Sequence, residues 1–247
     1  MVRSKHPIRL IALVALAAAT LAAAPAQARI IGSDLEIILG SSTASSLEQR
    51  YGVWDNETAR KRLEKLGEEI VPVSGRTGLN YRFRILNTKE INALAVPGGW
   101  VYATRGLMAE KLSQDELAFV VGHEVAHIAH RHGVRQLEQG VGLSLALGLI
   151  FDRSATTQAL VSDLLQLLLE SGYSREHEYD ADATAVTYSL ATGHDPRGGV
   201  EFLKRLQALS KLKPSELDRW FATHPPMDQR IVVLEDKIQA AEKNRAR

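Results

Sequence analysis

The sequence has no cysteine, which removes both a disulfide framework and lipid attachment through an N-terminal cysteine. It also lacks an excess of either charge. With 30 Lys and Arg against 29 Asp and Glu, no strong field recruits nucleic acid or anionic lipid. Nucleic-acid binding is not expected. Beyond the N-terminal segment there is no apolar run of spanning length, since Val141 to Phe151 and Gln158 to Leu169 each fall short of the ~20 residues that a bilayer demands. No internal repeat is visible. A chain of 247 residues suits one core, because single cores usually stop growing near ~250 to 300 residues.

What is present begins with a secretory pattern. Arg3, Lys5 and Arg9 precede the apolar run Leu10 to Ala24, and Ala26-Gln27-Ala28 offers small residues for cleavage. Residues 1–28 therefore read as a signal peptide, with a single domain over 29–247 ending in a polar helix or tail from about 232. The expected location is the periplasm.

Periodicity organises the mature chain. A mobile stretch is expected around Gly40 to Ser46, followed by an amphipathic helix from Asn56 to Ile70 that aligns Ala59, Leu63, Leu66 and Ile70. Alternation in Tyr81 to Ile85, the apolar Ile91 to Val96, and Trp100 to Ala103 after Pro97-Gly98-Gly99 predict a small antiparallel sheet. Ser113 and Glu116 form a capping-box pattern for a helix from Gln114 to about His132, stopping at Gly133. A helix pair, Val141 to Phe151 and Gln158 to Glu170, follows. Ser174 can cap a helix that runs to Thr192 and ends at Gly193. Further helices are expected over Gly198 to Lys211, Ser215 to Phe221, and from Met227 onward. The predicted class is α+β, mostly helical, with the sheet beside the helix that starts at Gln114.

That helix carries His123-Glu124-Val125-Ala126-His127. Two imidazoles four residues apart project from one face and can share a zinc ion. Glu124 lies about 100° round the axis, where its carboxylate can act as base on a water at the metal instead of ligating. A catalytic zinc usually takes three protein ligands and keeps one position open. The pattern that adds a third histidine six residues on fails, because the relevant positions hold His130 and Gly133. His130 shares the ligand face but lies a turn too far along it. The later segment Ser174 to Asp182 places Glu178 and Asp182 four residues apart beside Ala181, Ala183 and Ala185. One carboxylate can ligate while the other holds the second N–H of a ligand histidine.

These motifs resemble the metallopeptidase family of the CAAX-prenyl proteases, the HtpX heat-shock protease and their soluble periplasmic relatives. The similarity rests on His123 to His127, on Ser174-Arg175 with Glu178, Asp182 and Ala185, and on Thr223-His224-Pro225-Pro226 with Arg230-Ile231. Asn92 to Gly99 and Tyr51-Gly52-Val53 extend it. The resemblance implies a zincin-like fold, one zinc per chain, Glu178 as third ligand, Asp182 in support of a ligand histidine, and His224 near the metal. His224 could then be a fourth ligand that displaces water at rest or, with Arg230, a helper to the oxyanion. Substrate is expected as an extended strand along Ile91 to Val96 or Trp100 to Thr104, with Ala95, Gly98 and Gly99 as contacts. The function expected is endopeptidase action on unfolded or misassembled envelope and outer-membrane polypeptides. Any outer-membrane association would be peripheral. A rival reading is a largely repressed protease acting as chaperone or scaffold for outer-membrane protein assembly.

Overall fold

Residues 30–224 and 227–245 are described by a computed structural model. The expected signal peptide and the Pro225-Pro226 pair lie outside the described residues. The first helix, α1 (Ser33–Tyr51), runs straight through 40–46, where a mobile stretch was the sequence expectation. Small residues lower helix propensity there, but they also let the helix approach a neighbour closely. A Cβ on Gly40 would lie 1.8 Å from the Pro97 carbonyl oxygen, so tertiary packing overrides propensity. The hydroxyls of Ser41, Thr43 and Ser46 donate back to helix carbonyls at 2.8–3.0 Å.

The second helix, α2 (Glu57–Ile70), is capped by Asn56, whose side-chain oxygen accepts from the Ala59 N–H at 2.9 Å. It buries Leu63, Leu66 and Ile70. Three strands follow, β1 (Arg82–Leu86), β2 (Ala93–Val96) and β3 (Trp100–Thr104), in the spatial order β1-β3-β2. The β2–β3 hairpin is antiparallel with Val96 opposite Trp100, whereas β1 pairs parallel to β3 with Arg82 opposite Trp100. The sheet is thus mixed, not wholly antiparallel as the sequence reading had it. The cause is connectivity: after β1 the chain crosses to the far side of the sheet, so the strand beside β1 is the second arm of the hairpin and runs the same way.

Helices cover this sheet. After the short α3 (Arg105–Ala109) comes α4 (Gln114–Ala129), whose start carries the capping box: Ser113 Oγ accepts from Glu116 N at 3.1 Å and Glu116 Oε2 from Ser113 N at 2.6 Å. All residues from Glu116 to Ile128 are buried. The helix ends earlier than expected, because Arg131 turns the chain with φ +59°. Its Nε donates to Glu36 Oε2 at 2.9 Å and its Nη2 reaches the Ile31 carbonyl. These bonds offset the cost of a left-handed non-glycine residue. Beyond the corner, α5 (His132–Phe151) contains Gly133, and α6 (Arg153–Gln166) runs into a π-turn over Leu167–Ser171. Ser174 caps α7 (Arg175–Thr192), which stops at Gly193 in the left-handed region. The chain closes with α8 (Arg197–Leu212), α9 (Pro214–Thr223) and α10 (Met227–Arg245).

The most extensive helix pairing is α4 on α7, and α10 packs on α7 and α8. Phe119, Val121, Val125, Ala181, Ala185, Phe202 and Trp220 lie in the core between these helices. Among the described residues no helix is long and apolar enough to cross a membrane. The π-turn that follows α6 packs against β2 and α9.

The Gly40 contact makes a prediction. Gly40→Ala forces a methyl into the Pro97 carbonyl and should lower the unfolding free energy by about 1–3 kcal/mol, the usual cost of overpacking. Urea denaturation checks this, and a change within about 0.5 kcal/mol, the ordinary scatter of surface substitutions, would contradict the close approach of α1 to the hairpin.

Candidate metal centre

The α4–α7 contact brings three nitrogen and oxygen donors together. His123 Nε2 and His127 Nε2 are 3.0 Å apart. Glu178 Oε1 is 3.4 Å from His127 Nε2, and its Oε2 is 3.6 Å from His123 Nε2. A tetrahedral ion with bonds of ~2.0–2.1 Å has edges of about 3.3 Å between ligand atoms. The three observed separations, two of them to different Glu178 oxygens, bracket that size. All three side chains are buried; Arg230 Nη1 lies 2.9 Å from Glu178 Oε2, while Glu178 Oε1 has no hydrogen-bond donor. A buried carboxylate oxygen without a donor is costly, so the donor set is suited to a cation on the Oε1 side of Glu178.

Each ligand candidate is held from behind. Asp182 Oδ1 lies 2.9 Å from His123 Nδ1, so the free imidazole nitrogen of His123 is its Nε2. Burial opposes ionisation of Asp182, but Arg230 and His123 outweigh it and hold the carboxyl well below the usual range. Arg230 donates from Nε and Nη2 to Asp182 at 2.8 and 2.7 Å, and its Nη1 is 2.9 Å from Glu178 Oε2. The sequence reading had Arg230 as an oxyanion helper. The structure places all three guanidinium nitrogens against these two carboxylates, with the side chain 2% exposed, which gives Arg230 a positioning task on Asp182 and Glu178.

His127 has a different support, one that sequence reasoning missed. Its Nδ1 is 2.9 Å from His132 Nδ1, and His132 Nε2 is 3.1 Å from Asp180 Oδ2. If His127 ligates through Nε2, its proton sits on Nδ1 and is donated to His132, whose own proton then points to Asp180. On a straight helix, five residues would carry His132 off this face, and only the Arg131 corner returns it. Tyr173, also missed, stacks on the His127 ring with centroids 3.9 Å apart.

Glu124 faces a cavity of about 10 Å³, roughly the space for one water. Ala93 to Ala95, Leu167, Leu168, Tyr173, Thr223 and His224 complete its wall. Burial is the main cause that pushes the Glu124 carboxyl up to about 7, and its Oε1 has no partner. A base poised there is matched to proton transfer near neutral pH. A far larger cavity of about 530 Å³ lies between α2 and β1, lined by Gly67, Val71, Tyr81 and Phe83. It contains none of the residues above, so volume does not locate the chemistry.

His224, Glu178 and His123 offer atoms within 4.8 Å of one another. The His224 ring stacks on Trp220 at 4.0 Å and 9°, and burial pushes its pKa down to about 3. Thr223 Oγ1 donates its single proton to the Arg219 carbonyl at 2.9 Å. It must then accept from His224 Nδ1, 3.0 Å away, which leaves a lone pair on His224 Nε2.

The expected substrate contacts divide. Ala95 lies on β2 at the cavity, where its carbonyl accepts from the Tyr173 hydroxyl at 3.1 Å. Gly98 and Gly99 instead build the hairpin turn at φ +80° and +108°. The Gly98 N–H donates to Glu36 Oε1 at 3.3 Å, and a Cβ there would meet Ile37 and Trp100. Gly98 is committed to α1 and Gly99 packs against Asn80 and Leu79; neither lines the cavity. β3 has neighbours on both sides, so of the two expected docking strands only β2 is a terminal strand of the sheet, and its buried edge is covered by Tyr173 and the π-turn.

With this geometry in place, the comparison with known proteins is decisive at the level of class. The profile of peptidase family M48 matches residues 57–238. The chain belongs to that family, whose members are metal-dependent peptidases. It is similar to the metalloprotease YcaL of Escherichia coli, 26% identical over 225 residues that cover 90% of this chain and 83% of that protein. It is also similar to the beta-barrel assembly-enhancing protease of Yersinia pestis, 28% identical over 181 residues, 68% of this chain and 37% of that one. The mitochondrial metalloendopeptidase OMA1 of Bos taurus is 27% identical over 243 residues, 87% of this chain and 46% of its own length. The chain thus spans less than half of two of these three relatives.

The carboxylate clamp is testable without activity. Arg230→Met strands Asp182 and Glu178 as buried, unpaired charges, and the unfolding free energy measured in chelator should fall by about 3–5 kcal/mol. A loss below about 1 kcal/mol, the scale of an exposed ion pair, would mean that the guanidinium is not what holds the two acids.

Proposed function

We propose that this chain is a zinc endopeptidase of the bacterial cell envelope that hydrolyses unfolded or misassembled envelope polypeptides. One observation carries the chemical part: two imidazole nitrogens and a buried carboxylate converge at ligand-to-ligand spacing beside the unpartnered Oε1 of Glu124. Nitrogen donors favour zinc over the hard cations. The envelope setting draws on the secretory pattern of residues 1–28 and on relatives named for beta-barrel assembly.

His123, His127 and Glu178 hold the ion, with Asp182 and Arg230 fixing their orientation. Zinc, when bound, supplies a Lewis acid that lowers the pKa of water toward ~7 and offsets negative charge on the carbonyl oxygen. Glu124 takes a proton from the attacking water as its oxygen bonds to the carbonyl carbon. It returns that proton to the amide nitrogen as the C–N bond breaks. The substrate backbone pairs with the β2 edge at Ala95, which requires Tyr173 to release the carbonyl it occupies.

His224 is assigned to the resting state. Its Nε2 lone pair suits a fourth ligand that keeps water out, not a donor to an oxyanion. The second reading, a repressed protease with a scaffolding role, draws support from the same closure and from the one-water cavity beside Glu124.

Two variants separate these readings. Glu124→Gln should retain metal and lose chelator-sensitive casein hydrolysis. Retained hydrolysis in that variant would remove Glu124 from the base role, and no hydrolysis by the wild type under any condition would favour the scaffold. His224→Ala should raise turnover while slightly weakening metal binding. A fall of roughly 10² to 10³ with zinc unchanged, the usual loss for one oxyanion donor, would instead make His224 that donor.

A further inference from the structure

A second cluster stands at the α4–α5 corner, on the far side of His127 from the first. His130 Nδ1 and His132 Nε2 converge on a single oxygen, Asp180 Oδ2, the latter at 3.1 Å. The donor atoms of the three residues all lie within 4.8 Å of one another. Two residues apart on a continuous helix, the histidines would point about 200° from each other. The left-handed Arg131 between them, pinned by Glu36, is what turns both toward α7. His177 stacks on His132 with centroids 4.3 Å apart, and its buried Nδ1 has no partner.

We propose that His130, His132 and Asp180 form a second, weaker site for a borderline divalent cation, zinc above all, and that filling it loosens the first ion. Two imidazoles and one carboxylate are the donor types such ions select. The His130 side chain is 31% exposed and that of Asp180 50%, so water completes the coordination and affinity is modest.

The coupling follows from the shared histidine and rests on the zinc reading of the first site. A cation on His132 Nε2 needs the lone pair there, so the His132 proton moves to Nδ1. That nitrogen then faces His127 Nδ1–H at 2.9 Å, and two N–H groups cannot hydrogen-bond to each other. His127 loses its support, a kind of loss that typically costs 10–100-fold in metal affinity. Excess zinc would thus inhibit through this corner without entering the catalytic cavity.

The experiment is equilibrium dialysis of the purified chain against buffered free Zn²⁺, with bound zinc counted by mass spectrometry. Wild type should fill in two steps, while His130→Ala and Asp180→Asn should keep the first and lose the second. Isotope exchange of the tightly held ion should accelerate about 10–100-fold as the second step saturates in wild type, and stay constant in His130→Ala. A single step in wild type, or a second step that survives in both variants, overturns the proposal. Exchange that never accelerates overturns the coupling. Absence of the tight step alongside a His130-dependent weak one would instead refute the zinc reading of the first centre and leave this site standing. Circular dichroism verifies folding, and His130→Gln serves if the alanine variant is unstable.

Discussion

The structure around the metal centre depends on one guanidinium. Arg230 reaches from the C-terminal helix to Asp182 and Glu178, both on α7 and both fully buried. Three acidic side chains, Glu124, Glu178 and Asp182, share this interior with a single arginine. Coulombic attraction at such distances is strong where water is excluded, yet the desolvation of each ion is of similar size. One fixed positive charge leaves the cluster short, which is the physical reason for the proposed cation at His123, His127 and Glu178. Arg230 sets where the carboxylates point.

The two ligand histidines are not equivalent. His123 is backed by a buried carboxylate that stays ionised, while His127 is backed by a neutral ring that passes its proton to a half-exposed one. An anionic partner raises the basicity of its imidazole more than a neutral one does. The His127 side of the centre is accordingly the one open to influence from solvent, through Asp180 and His130.

Local signals in the sequence were legible where local physics decides. The caps at Ser113 and Ser174 and the stop at Gly193 sit where hydrogen-bonding side chains or a Cβ-free residue demanded. The spacing of His123 and His127 on α4, and of Glu178 and Asp182 on α7, followed from helical geometry alone. What was not legible depends on distant partners. The helix through Gly40 exists because Pro97 accepts its close approach. The corner at Arg131 exists because Glu36 is 95 residues upstream, and with it went the position of His132. The parallel pairing of β1 is a property of the chain path, not of alternation. Arg230 was visible as a residue near the site, but its task could be read only from the two carboxylates it touches.

Glu36 binds Arg76, Gly98 and Arg131, which lie 40, 62 and 95 residues beyond it. Such separations cost loop-closure entropy before they return any stability. The first helix is synthesised earliest, yet its anchoring carboxylate has no complete set of partners until α4 has been made and turned. Arg230 imposes the same delay from the opposite end of the chain. The corner that places His132 thus hangs on α1, and the aim of Asp182 and Glu178 hangs on α10, so the geometry of the centre is held by two distant helices that contribute none of its donors.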